Sequence, residues 1–163
     1  MRTQELEATL KEIGAKNGLE IALDENGSCP LELADGRMLL LQERADLEEL
    51  DFVATLGPVP EKVRATVFTE LLAANFYWKE TFGATISWNT ALEAAVLIYP
   101  LPLANATPEH VETVFTRFVE LQAAWSGRFA GMVAAAQEFV PDEPDDEEDF
   151  VSDSEENNMI FNP

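Results

Sequence analysis

The spacing of the apolar residues switches along this chain from helical to alternating and back, and that succession leaves few folds open. Leu6, Leu10 and Ile13 recur at spacings of four and three, as an amphipathic helix requires, and Asn17-Gly18 ends it. Leu19 to Leu23 alternates, Asp24-Glu25-Asn26-Gly27-Ser28 has turn chemistry, and Leu31-Glu32-Leu33 alternates again, which predicts a hairpin. Asp35-Gly36 marks a second tight turn, before a strand over 37–43 and another over 50–56 that Gly57-Pro58 interrupts.

Pro60 suits the first turn of a helix and Glu61 its positive end, so a long central helix is expected to about Trp78. Its apolar face is Val63, Val67, Phe68, Leu71, Leu72 and Phe76. Gly83 to Trp88 and Ala94 to Tyr99 read as a further hairpin. Thr107-Pro108-Glu109 then supplies an N-cap, a first-turn proline and an early acid. The apolar series from Val111 to Val133 keeps helical spacing and should stop before Pro141. Helices separated from antiparallel hairpins define the α+β class, in the order α-β-β-β-α-β-β-α around an antiparallel twisted sheet.

Charge divides the chain. The formal charge of −21 on 163 residues is uneven, because Asp142 to Glu156 holds ten acids and no base. Residues 1–140 are expected to form one domain and 141–163 a disordered acidic tail, too polar to offset the entropy of ordering. The sign opposes DNA, RNA and anionic membrane surfaces, and the repulsion keeps apolar surface from self-associating. One cysteine, Cys29, permits no intrachain disulfide, and no segment approaches a membrane-spanning length; a cytoplasmic place is expected.

Catalytic options find no support. No phosphate-binding loop, dinucleotide fingerprint or zinc-binding histidine motif occurs. His110 is the single histidine and reads as a surface or capping residue; Cys29, without a basic neighbour, reads as a small unreactive side chain. Asp24, Asn26 and Ser28 imitate the start of a calcium loop, but Asp35 stands where the closing glutamate belongs, so a turn explains them better. No enzyme activity, metal or cofactor is expected.

Certain local sequences, in this order, resemble the class I type III secretion chaperones of the Tir-chaperone-like family. They are Leu71-Leu72-Ala73-Ala74-Asn75-Phe76-Tyr77-Trp78, Gly83-Ala84-Thr85-Ile86-Ser87-Trp88 and Leu101-Pro102-Leu103, with weaker support from residues 24–29 and 56–60; the likeness covers roughly residues 3 to 138. It implies a homodimer paired through the central helix and the next strand, here Leu71, Leu72, Asn75, Phe76, Trp78, Ala84, Ile86 and Trp88. It also implies an effector's N-terminal segment held in extended form by apolar grooves, for which Leu6, Leu10, Ile13, Leu31, Leu33, Leu39 and Leu41 are the candidates. Further partners would be a secretion-apparatus ATPase or a regulator. Two alternatives stand beside it: a regulatory adaptor of the same fold, and an acidic inhibitor that mimics nucleic acid. The terminal Met159-Ile160-Phe161 is a candidate occupant of the cargo groove in the free protein.

Overall fold

The structure, a computed structural model, describes Met1 and residues 3–139. The acidic stretch from 141 onward, its expected disorder and the role of Met159-Ile160-Phe161 lie outside the described residues. Helix α1 spans Thr3–Asn17; strands β1 Ser28–Glu32, β2 Met38–Arg44 and β3 Glu49–Pro58 follow. After a 3₁₀ turn at Glu61–Val63 come α2 (Arg64–Ala74), a second 3₁₀ turn at Phe76–Trp78, β4 (Thr85–Asn89), β5 (Ala94–Pro102) and α3 (Pro108–Glu138). The five strands form one antiparallel sheet in the order β1-β2-β3-β5-β4, which leaves β1 and β4 as its edges.

The element order is the expected one, with local differences. Leu19 to Leu23 is not a strand. Leu19 N–H donates to Gly14 O at 2.9 Å, and the backbone crosses α1 so closely that a Cβ on Gly14 would lie 2.6 Å from Leu19 O. The run therefore packs on the helix, with Ile21 buried, instead of pairing in the sheet. The turn after it is real: Asp24 Oδ1 accepts from the N–H groups of Asn26 and Ser28, each at 2.8 Å. Strand β3 runs through Gly57 rather than stopping before it, by way of a register shift between Thr55 and Gly57. Gly57 has φ 148°, and the Phe129 ring of α3 fills the place of its missing Cβ.

The central helix also ends early. It stops at Ala74, not Trp78, because Asn75 turns its side chain to β4 while Tyr77 and Trp78 enter the left-handed region at φ 55° and 52°. The last helix forms as expected, with Thr107 Oγ1 accepting from His110 N–H at 3.2 Å.

One sheet face is covered by the helices. Leu31, Leu39, Leu41, Leu50, Phe52, Ala54, Leu97 and Ile86 join Leu6, Leu10 and Ile13 of α1, Val67 and Leu71 of α2, and the buried stripe of α3 in a single core. Gln122 of α3 closes the packing by donating to Met38 O at 2.8 Å, as does Trp125 Nε1 to Glu80 O at 3.1 Å.

Candidate polypeptide-binding site

The seven side chains expected to line a cargo groove are interior. Leu6, Leu10, Ile13, Leu31, Leu33, Leu39 and Leu41 are at most 8% exposed, and all but Leu33 belong to the one hydrophobic core. In the isolated chain these leucines are core, not groove lining. The alternation that selected them marks the inward face of each strand, and three helices already cover that face.

What stands outside the helix-covered core is the opposite face, although Ala94 and Val96 of β5 on that face are themselves buried. Pairing sets Pro30 beside Leu40, Leu40 beside Val53 and Val53 beside Ile98, an apolar row from β1 to β5 that ends at Thr85 of β4, whose hydroxyl accepts from Trp78 Nε1 at 3.2 Å. Leu40, Val53 and Ile98 are half-buried and stand outside the helix-covered core. An antiparallel sheet with one solvated face ordinarily alternates apolar and polar residues. Here Met38-Leu39-Leu40-Leu41 and Ala94 to Tyr99 are unbroken apolar runs, so both faces are built for cover. In sequence those runs read only as strands; their missing alternation is the usable signal.

A polar group borders the row. Arg44 pairs with Glu49 at 2.7 Å and with Asp51 at 2.8 Å. Burial pushes the Asp51 carboxyl above the ordinary range, against the pull of the Arg44 guanidinium.

The row ends at the free edge of β1. Ser28 turns its backbone outward, where its N–H donates to Asp24 Oδ1 at 2.8 Å and its O accepts from Asp24 N–H at 2.9 Å. Two-residue alternation points Pro30 and Glu32 the same way. Pro30 has no N–H to offer, a usual means of blunting an edge, which leaves the Pro30 and Glu32 carbonyls and the Glu32 N–H for an incoming strand.

At the opposite edge lies an aromatic surface. Leu72, Phe76, Tyr77, Trp78 and Phe82 are 52 to 79% exposed. Tyr77, Trp78 and Phe82 hold positive φ, a conformation that costs bulky residues of order 1–3 kcal/mol each and concentrates where a site needs it. Of the expected pairing residues, Leu72, Phe76 and Trp78 are exposed; Leu71, Ala84 and Ile86 are buried in this chain's own core, and Trp88 packs against Phe68 with ring centroids 5.0 Å apart. Tyr77 and Phe82 complete the surface, and Phe82 escaped sequence reasoning because it sits outside any periodic segment.

Asn75 joins this surface to the sheet. Its Nδ2 donates to Ile86 O and its Oδ1 accepts from Ile86 N–H, both at 2.9 Å, so one side chain imitates a sixth strand on the β4 edge. Asn75→Ala is expected to lower unfolding stability by about 1–3 kcal/mol, the cost of two backbone groups left unpaired. Chemical denaturation checks this, and a midpoint equal to wild type would refute it.

The chain resembles known proteins in sequence and in fold. The Tir chaperone protein (CesT) family matches over residues 8–126. No curated protein sequence matches this one. A chain of the ExsC-ExsE complex superposes with a TM-score of 0.65 at 21% identity, covering 76% of this chain and 92% of its own. A chain of the heterodimeric ExoU-SpcU complex from the type III secretion system of Pseudomonas aeruginosa gives 0.60 at 17%, covering 80% and 98%. A chain of the HopA1-SchA chaperone-effector complex gives 0.59 at 12%, covering 78% and 98%.

Proposed function

The chain belongs to the Tir chaperone protein (CesT) family, and from that premise we propose that it binds the N-terminal segment of a secreted effector in extended form, keeping it soluble and competent for type III secretion. The observation that carries this reading is the uncovered sheet face: an apolar row crosses it and ends at an edge strand with free backbone groups. An extended polypeptide satisfies its own backbone on such an edge while its apolar side chains settle on the row, and no catalytic group is required. The high negative charge keeps the empty surface from joining its like.

In this reading two copies associate through Leu72, Phe76, Tyr77, Trp78 and Phe82, which places a cargo edge at the far side of each protomer. In this reading, which rests on the family, the complex works in the cytoplasm. Among the described residues no helix is long and apolar enough to cross a membrane.

Co-expression with the N-terminal segments of secreted proteins tests the proposal. A stoichiometric complex that survives moderate salt is expected, because apolar contacts are little screened. Failure to bind any such segment would sink it. A complex that forms only with a nucleic-acid-binding protein and falls apart steeply with salt would favour the nucleic-acid mimic instead.

A further inference from the structure

An open groove of about 840 Å³ runs beside the N-terminal half of α3, away from the apolar row on the other sheet face. Tyr99, Val114, Phe118 and Leu121 supply its apolar lining, Phe82 overhangs it, and His110 and Arg117 stand among its polar groups. Arg117 is singular. Arg37, Arg44, Arg64 and Arg128 each pair with a carboxylate, whereas Arg117 alone among the described arginines has none. Glu120 is the one acid that lines the groove itself, while Glu109 and Glu112, the second paired with Lys16, line the adjoining hollow with Arg117, so Arg117 is the cation beside a trough of mild negative charge in a strongly acidic molecule.

The same chain carries a matching segment. Beyond α3 it continues through ten acids between Asp142 and Glu156 and then turns apolar at Met159-Ile160-Phe161. From Phe139 to Phe161 the contour is about 70 Å at 3.3 Å per residue. The groove, which lies between His110 and Ala124, is about 20 to 40 Å back along the helix at 1.5 Å per residue. Length and position therefore permit the end of the chain to return to the groove.

We propose that residues 153–161 of the same chain dock in the α3 groove, with Met159, Ile160 and Phe161 on its apolar lining and the acids before them beside Arg117. A cluster of acids would be repelled from most of this surface, and the unpaired guanidinium supplies the local exception. The apolar triplet provides the affinity and the charge fixes where it lands. The inference does not depend on the reading as an effector chaperone, since it needs no cargo and shares only Phe82 with the proposed pairing surface.

His110 lines the groove and is the single histidine, so its ring resonances report on it without ambiguity. The experiment uses the full chain with Cys29→Ala and Asn162→Cys, carrying a nitroxide on the introduced thiol. Oxidised nitroxide should erase the His110 ring signals, which return on reduction. They should stay visible when Arg117→Glu or a triple Met159→Ser, Ile160→Ser, Phe161→Ser change is added. Unchanged His110 signals in the first protein would overturn the proposal, as would equal loss in the variants. Loss in a mixture of isotope-labelled chain and separately spin-labelled chain would also overturn it, by assigning the groove to the tail of a second copy.

Discussion

On the proposed reading, Leu40→Asp combined with Val53→Asp is expected to weaken binding of an effector segment by about 10²–10³-fold. The two side chains are neighbours at the centre of the outer sheet face. Both side chains are already half-buried, so covering what remains of them is worth about 1.5–3 kcal/mol together, and the desolvation that the replacing carboxylates resist brings the combined loss to about 3–4 kcal/mol. The fold should survive, because both positions point away from the helix-covered core and strand preference spans only about 1 kcal/mol. Leu41→Ala gives the contrast. One residue along the strand, it is fully buried, and its loss should cost about 2–5 kcal/mol of stability. Calorimetric titration of a bound segment, read beside a denaturation curve, separates the two. Wild-type affinity in the folded double variant would remove the outer face as the cargo site.

Leu72→Glu with Phe76→Glu should abolish the self-association proposed for this surface. Both side chains are 70% exposed in the isolated chain, and Phe76 stacks edge-on against Tyr77 at 4.6 Å. Large apolar residues at the centre of an interface contribute about 2 kcal/mol or more each, so the pair should weaken self-association about 10³-fold. Two acids added to a chain of charge −21 also add repulsion across the symmetry axis. Sedimentation equilibrium reads the result. A wild-type protein that is monomeric at tens of micromolar, or a variant that dimerises as tightly as wild type, would refute the pairing surface. Because these residues lie outside the core, a normal unfolding midpoint in the variant excludes misfolding as the cause.

Particular residues show where sequence reading sufficed. Thr107-Pro108 announced α3 because capping is local: the hydroxyl meets a backbone N–H three residues on, whatever else surrounds it. Leu39 and Leu41 announced a strand for an equally local reason. Their partner across the sheet was not local, and neither was the identity of the layer above them. The alternation was assigned to a cargo groove because a period states that two faces differ, not which one the rest of the chain will cover.

The end of α2 failed for another reason. Leu71 to Trp78 carries helical apolar spacing, but Asn75 finds the backbone of Ile86, eleven residues later in sequence, and that contact closes the helix at Ala74. Leu19 to Leu23 alternates as a strand does, yet Gly14 lets its backbone lie on α1. In both cases a tertiary contact outweighed a weak local preference.

The sequence by itself determined the element order, the α+β class, the acidic charge and the family resemblance, since these follow from period, composition and short motifs. Only the tertiary structure decided which apolar residues remain outside. Three helices settled on one face of the sheet, and that choice buried the leucines of α1, β1 and β2 while leaving Leu40, Val53 and Ile98 on the other. Burial is a property of what packs against a residue, and no periodicity within one strand records it.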